Sequence, residues 1–311
     1  MKIAFVFPGQ GSQTTGMFDA WHDNAIAMET VSQASDALNQ DLVTLMSRGP
    51  ASDLDLTVNT QPVMLAASLA MYQAWREAGG AEPAVMAGHS LGEYTALTAA
   101  GALAADDAVR LVRVRASTMQ NTVPVGEGGM AAILGLADDV VRDVCAQAAG
   151  DEVVEAVNYN APSQVVIAGH VGAVERACEL AKEKGAKRAL KLPVSAPFHS
   201  SLLRPAANVL AQALDGIQVA TPVVPVVNNV DVACPSSPGD IRNALTRQAW
   251  HPVRWVETIR FMKDQGVTHI VECGPGRVLS GLTRRIDRDL VGLAITDPAS
   301  MQSALETLGQ A

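Results

Sequence analysis

The sequence is poor in cysteine, in positive charge and in long apolar runs, and each shortage closes off a class of function. Four cysteines, Cys145, Cys178, Cys234 and Cys273, are scattered along 311 residues without a C-x-x-C pair. That spacing argues against a dithiol redox motif or a zinc site and points to reduced thiols in the cytoplasm. Lysine and arginine total 23 against 32 aspartates and glutamates, giving a net charge of −9 and a pI near 5.1. The basic footprint of a nucleic-acid binder is missing, so an anionic ligand would need a local basic patch. No uninterrupted apolar stretch reaches the roughly 18 residues of a membrane span. The run Ile3–Phe7 behind Met1 and Lys2 is too short for a secretory signal. Internal repeats and low-complexity segments are also missing.

What is present is the balance of a soluble globular protein, 48% hydrophobic and 18% charged, long enough for one large domain or two modest ones. The run Ile3–Phe7, broken by Pro8-Gly9-Gln10-Gly11-Ser12, predicts a buried parallel strand ending in a glycine-rich loop. A helix is predicted over 60–75, with Thr60 as its cap and Pro62 in its first turn, stopped by Gly79-Gly80. A strand at 84–87, a tight glycine turn and an alanine-rich helix from about Leu91 follow, then a helix capped by Asp106 that runs to about Asn121. Further strands are predicted at 223–227 and 269–272. Between these, strands at 130–134, 153–159, 165–169 and 187–192 alternate with helices at 137–149 and 171–184. That is the βαββαβ order of a ferredoxin-like module. The fold class is therefore α/β. A large domain with a mostly parallel sheet, 1–125 and 197–311, carries a small ferredoxin-like α+β domain, 126–196, inserted in it.

Gly88-His89-Ser90-Leu91-Gly92 matches G-x-S-x-G and falls between a predicted strand and a predicted helix, the context such a nucleophile turn requires. The serine oxygen would project from the carboxyl edge of the sheet, and the Leu91 N–H, at the helix start, would be free for a developing oxyanion. The plainer alternative is an ordinary capping serine. His89 adjoins the serine, but neighbours in such a turn point apart, so it reads as a supporting residue.

Six histidines compete for the role of base. His22 lies in an amphipathic stretch, His170 at a strand end, His251 before Pro252, and His269 at the start of an apolar strand, where a packed core histidine is expected. His199 sits in the proline-punctuated loop Ser195-Ala196-Pro197-Phe198-His199-Ser200, which returns from the inserted module and so belongs near a cleft. It could take the serine proton and later return it to a thiolate. Spacing alone leaves the choice open, and no carboxylate stands out to orient the ring.

An arginine occupies a leucine's place. At about 100° per residue, Ala108, Leu111, Val112 and Met119 share one helix face, with Arg115 in its middle and Arg110 and Arg113 opposite. A guanidinium inside an apolar stripe is costly without an anion. Two readings stand side by side: an internal partner, either a carboxylate or helix-end carbonyls, or a bidentate clamp for a substrate carboxylate.

Together these residues resemble the malonyl-CoA:acyl carrier protein transacylases and the related acyltransferase domains, over essentially the whole chain. The loop Pro8-Gly9-Gln10-Gly11-Ser12-Gln13 and the turn Gly88-His89-Ser90-Leu91-Gly92-Glu93 carry the resemblance. It implies an α/β-hydrolase-like large domain, Ser90 as nucleophile, His199 as base and the Gln10 and Leu91 amides as an oxyanion hole. It further implies Arg115 as the malonyl carboxylate ligand and Gln248 as the residue whose carbonyl orients the histidine. Asn158-Tyr159-Asn160-Ala161-Pro162-Ser163-Gln164 is similar to the family's cleft-lining hairpin. With Met119, Asn158 and Asn160 on the substrate, Phe198 would crowd a 2-methyl branch. Malonyl-CoA and an acyl carrier protein are then the partners. The carrier supplies its own phosphopantetheine, and a cofactor, a metal, a nucleic acid or a membrane is not expected. A cytoplasmic monomer follows.

Arg284 and Arg285, beyond Gly274-Pro275-Gly276, are candidates for carrier docking, as are Lys182, Lys184, Lys187, Arg188 and Lys191, although a solvated helix face is the plainer reading. Two rivals compete with transfer. A serine esterase would need neither Arg115 nor the inserted module, and a silent docking subunit would not need Ser90, His199 and Arg115 together.

Overall fold

The computed structural model describes residues 1–194 and 196–309; Ser195, which opens the return loop, and residues 310–311 lie outside it. Five parallel strands form the first sheet: β1 (Ile3–Phe7), β2 (Val85–Gly88), β7 (Val226–Val227), β8 (His269–Cys273) and β9 (Val291–Ile295), in the order β7-β2-β1-β8-β9. β1 is central and buried at every residue, as its unbroken apolar run requires when helices cover both faces of a sheet. Phe5 and Phe7 pack edge-on against Tyr72 at 5.5 and 5.9 Å between ring centroids, fixing the helix Thr57–Glu77 to one face. Trp255, Ile259, Met262 and Ile270 gather on the other.

The second sheet is antiparallel, made of β3 (Gly128–Leu134), β4 (Val154–Ala161), β5 (Gln164–His170) and β6 (Arg188–Lys191) in the order β4-β5-β3-β6. The helices Asp138–Ala149 and Val171–Glu183 cover one face, where Ile133, Val141, Val144, Val165, Ile167 and Val174 form a core. Period-2 alternation turns Met130, Val157, Val166 and Ala168 to the opposite face, against Leu192, Val194 and Phe198. The second sheet is tied by backbone to the large domain's segment before the helix Trp255–Asp264: Tyr159 N–H donates to Val253 O at 3.0 Å, and Val253 N–H donates to Val157 O at 2.8 Å. Among the described residues, no helix is long and apolar enough to cross a membrane.

Several predicted boundaries shift. The helix predicted from Thr60 starts at Thr57, so Pro62 lies inside it; Thr60 is no cap, and its hydroxyl donates to Leu54 O and Leu56 O at 2.6 and 3.1 Å. Ala104, not Asp106, precedes the helix Ala105–Thr122; Asp106 sits in the first turn, where its charge suits the helix dipole and accepts from Arg110 at 2.9 Å. Only Val226–Val227 of the predicted 223–227 strand pairs, and β9 had no forecast although Leu290–Ile295 is an unbroken apolar run; Gly292 within it lets the strand approach Ser280, where a Cβ would stand 2.8 Å from the carbonyl oxygen. His269 opens β8 but is only half-buried and meets Thr268 Oγ1 at 2.9 Å, so it is not a core residue.

The chain diverges to opposite sides of β1, with β2 on one flank and β8 on the other. Ligands of open parallel sheets bind at the carboxyl ends of such a switch point. The loop after β1 and the turn after β2 both emerge there, pressed together: a Cβ on Gly92 would stand 2.0 Å from Phe7 O, and one on Gly88 only 1.7 Å from the Gly92 carbonyl carbon. Gly92→Ala should therefore destabilise the fold by about 2 kcal/mol or more, read as a lowered urea midpoint. An unchanged midpoint would show that the two loops are not in contact.

Candidate active site

Ser90 follows β2 in a left-handed conformation, φ 53°, a cost that a side chain bears only where the surroundings impose it. Asn229 imposes it here. Its Oδ1 accepts from Ser90 N–H at 2.8 Å, and its Nδ2 donates to Gly88 O at 2.7 Å, so one side chain clamps the turn on both sides of His89. The Ser90 Oγ is thereby aimed at His199 Nε2, 2.7 Å away. His199 is itself held at φ 66° in the return loop.

The tautomer follows from the partners. His199 Nδ1 lies 2.8 Å from the Gln248 carbonyl oxygen, which can only accept, so Nδ1 carries the proton and Nε2 is the free base facing the serine hydroxyl. No carboxylate is needed to hold the ring. Burial, and next the Arg115 charge, push the imidazole down to about 3, outweighing the opposing pull of the Gln248 carbonyl. The base is neutral at every physiological pH.

Arg115 is 1% exposed. Its Nη2 donates to Ser90 Oγ at 3.0 Å and to Gln248 Oε1 at 2.9 Å, its Nη1 donates to Gln61 Oε1 at 2.8 Å, and the guanidinium carbon lies 5.3 Å from the centre of the Tyr94 ring. Among the described residues no carboxylate lies within ion-pair distance of it, and its Nε–H is buried without a partner. An internal carboxylate is therefore not what holds this charge. Three neutral groups, two amides and a hydroxyl, position the cation and leave donor capacity for an anion.

A cleft of about 130 Å³ opens over these groups, lined by Gln10, Leu91, Met119, Met130, Asn158, Val194 and Phe198. Among the described residues, neither the Gln10 nor the Leu91 N–H donates to a protein acceptor. Asn158 lines the cleft with its Oδ1 unpartnered, whereas Asn160 is turned away, its Oδ1 2.8 Å from His89 Nε2. The shift in register between Tyr159 and Ala161 explains why neighbouring asparagines of one strand face different partners. Of the other histidines, His22 meets Ser47 and His170 accepts from Val153 N–H outside the cleft, whereas His251 lines a second pocket beside His199 with its own ring on Arg247 O. Arg284 and Arg285 are exposed on the helix Val278–Ile286, away from the cleft, with Arg285 donating to Gln164 Oε1. The lysines from 182 to 191 and Arg188 are exposed too, Lys191 being paired with Glu175. Among the described residues, no cluster of three or more histidine, cysteine or acidic side chains is arranged for a metal ion.

Four residues of the site escaped the sequence reading: Gln61, Glu93, Tyr94 and Asn229. Gln61 and Glu93 did carry a signal, being polar within stretches that bury almost every neighbour. Asn229 lies in an irregular loop without a pattern. Burial pushes the Glu93 carboxyl up to about 7, against the opposing influence of Gln248, Asn229 and Arg115.

A serine hydroxyl already hydrogen-bonded to a neutral imidazole, at the carboxyl edge of a parallel sheet, is equipped for acyl transfer by way of a serine ester. Comparison with known proteins narrows this class. The model of the acyl transferase domain family matches residues 4–285, and the chain belongs to that family. The malonyl CoA-acyl carrier protein transacylase of Escherichia coli is 52% identical over 306 residues, covering 98% of this chain and 99% of the relative. An acyl-carrier-protein S-malonyltransferase from Burkholderia pseudomallei superposes with a TM-score of 0.97 at 62% identity, covering 98% of this chain and 100% of that one. A malonyl-transacylase solved in complex with a type II PKS acyl-carrier protein gives 0.97 at 48% identity, over 99% and 100% of the two chains.

The depressed basicity of His199 has a measurable consequence. Protonation would disable the base only near pH 3, so labelling of Ser90 by a fluorophosphonate should keep a constant rate from about pH 8 down to about pH 5. A fall in rate with a midpoint between 6 and 7, where an ordinary imidazole titrates, would contradict this electrostatic reading.

Proposed function

We propose that the protein transfers a malonyl group from malonyl-CoA to the phosphopantetheine thiol of an acyl carrier protein through a malonyl ester on Ser90, supplying extender units for fatty acid synthesis. The observation that carries this reading is Arg115: a buried cation with spare donors, 3.0 Å from the nucleophile oxygen. An acyl group esterified there and ending in a carboxylate places its negative end beside that cation. The names of the relatives agree with a malonyl donor and a carrier acceptor.

The geometry supports these steps. His199 Nε2 takes the Ser90 proton as Oγ attacks the thioester carbon, and the developing oxyanion is received by the free Gln10 and Leu91 amides. Collapse breaks the C–S bond, His199 returns the proton to the thiolate, and coenzyme A leaves as a thiol. The carrier thiol then gives its proton to His199 and attacks the ester carbon, the C–O bond to Ser90 breaks, and His199 returns the proton to Oγ, regenerating both residues. Both ends of the exchange are thioesters, so the reaction is nearly balanced and calls for no metal or nucleotide. One chain contributes every group named, so a monomer suffices. Met119 and Phe198 wall the cleft, and Phe198 leaves little room for a branch at the malonyl C2.

For the carrier we propose Arg284 and Arg285. They are exposed at the end of a helix that starts just beyond the Gly274-Pro275-Gly276 loop, and Arg285 touches the inserted module at Gln164. An acidic partner would meet both parts of the protein there.

Intact mass spectrometry after mixing with malonyl-CoA should show one malonyl adduct, lost on adding phosphopantetheinylated carrier and absent in Ser90→Ala. A folded wild-type protein that forms no adduct would sink the proposal. Arg115→Ala should slow malonyl transfer about 100-fold or more while costing acetyl transfer far less; equal losses would refute the clamp. Reversing charge at both Arg284 and Arg285 should slow transfer to the carrier at low salt but leave Ser90 acylation by malonyl-CoA unchanged. An unaltered rate to carrier would place docking elsewhere.

A further inference from the structure

The site contains one buried carboxylate that the mechanism above does not use. Glu93, 1% exposed, stands three residues after the nucleophile in the first turn of the helix Gly92–Ala99. A single oxygen of it, Oε2, accepts from Gln248 Nε2 and from Asn229 backbone N–H, each at 2.9 Å.

Those two residues touch every group that reacts. Gln248 accepts from His199 through its backbone carbonyl and from Arg115 through Oε1, and its Nε2 also donates to Ser90 O at 2.8 Å. Asn229 clamps the turn through Ser90 N–H and Gly88 O. The amide of Gln248 is thus fixed at both ends, by Arg115 on its oxygen and by Glu93 and Ser90 on its nitrogen. Without an acceptor at Glu93 Oε2, one Nε2 hydrogen and the Asn229 N–H would be buried with nothing to bond, a penalty that a rotation of the amide would relieve. That rotation withdraws Oε1 from Arg115 and loosens the segment that carries the carbonyl facing His199.

We infer that Glu93 is a positioning residue for acyl transfer, its Oε2 holding Gln248 and Asn229 together and so setting the base, the cation and the nucleophile in one geometry. The inference rests on the transfer reading above only for its kinetic arm. It does not depend on charge: with a proton on Oε1, Oε2 still accepts twice.

The test compares wild type, Glu93→Ala, Glu93→Asp and Glu93→Gln in single-turnover acylation by malonyl-CoA and acetyl-CoA, each rate taken on the folded fraction defined by thermal melting. Proton NMR of the His199 Nδ1–H, which bonds the Gln248 carbonyl, supplies a readout independent of any acyl donor. Glu93→Ala should slow malonylation about 100-fold, the scale of a misplacement near 1 Å, cut the malonyl-over-acetyl preference about tenfold and shift or erase the imidazole signal. Glu93→Asp, which withdraws the acceptor by one methylene, should show the same changes at about a tenth of that loss and stands in if the alanine variant does not fold. Glu93→Gln keeps an acceptor oxygen and should stay within about fivefold of wild type with its imidazole signal in place.

Folded alanine or aspartate variants with wild-type rates, preference and signal would overturn the inference, as would a glutamine variant as slow as the alanine one. If wild type itself takes no malonyl group, the transfer reading has failed rather than this one, and the imidazole signal across the variants decides the role of Glu93.

Discussion

The organising constraint of this molecule is a positive charge kept inside the protein without a carboxylate in contact with it, Glu93 reaching it only across the Gln248 amide. Removing a guanidinium from water is expensive, and a buried carboxylate at contact distance is the usual compensation. Arg115 is held instead by Gln61, Gln248, the Ser90 hydroxyl and the Tyr94 ring. Neutral partners fix the cation in place without satisfying its charge, which reserves the remaining Coulomb attraction for a ligand. Burial, and after it the same charge, holds His199 in its unprotonated form. One side chain thus bears both on the basicity of His199 and on the room left for an anion.

The second constraint is closeness of backbone. The turn carrying Ser90 is pressed between the loop after β1 and the segment around Asn229, and glycines at 88 and 92 are what make that approach possible. Because the turn is held from several directions, the left-handed backbone at Ser90 is imposed by its neighbours. The nucleophile is rigid for the same reason that it is strained.

The parts of this arrangement that were legible in the sequence are those with a period or a local pattern. The unbroken run of β1 marked a doubly covered sheet, the βαββαβ alternation marked the antiparallel module, and the 3.6-residue pattern put Arg115 in the buried stripe of its helix. Residues that act through backbone atoms or across long sequence distances left no such trace. A main-chain carbonyl like that of Gln248 has no residue type of its own, and it came forward only through likeness to a family. Asn229 does its work from an irregular loop 139 residues from the serine whose N–H it accepts. The strand at 291–295 did have a local signal, the apolar run Leu290–Ile295, with Gly292 interrupting its β-branched pattern. Capping was misjudged at Thr60 and Asp106 for a related reason: each residue lies inside its helix, where its side chain finds other work.

The backbone bonds between Val157, Tyr159 and Val253 join the roof of the cleft to its floor. Asn158, whose amide faces the cavity, sits between them, and Val253 is only a few residues beyond Gln248, whose carbonyl steadies the imidazole. A jaw hinged at the module boundary would have to break this stitching each time it opened. The separation of the two walls is therefore coupled to a pair of main-chain bonds, and a change that breaks them would free Asn158 and the segment after Gln248 together.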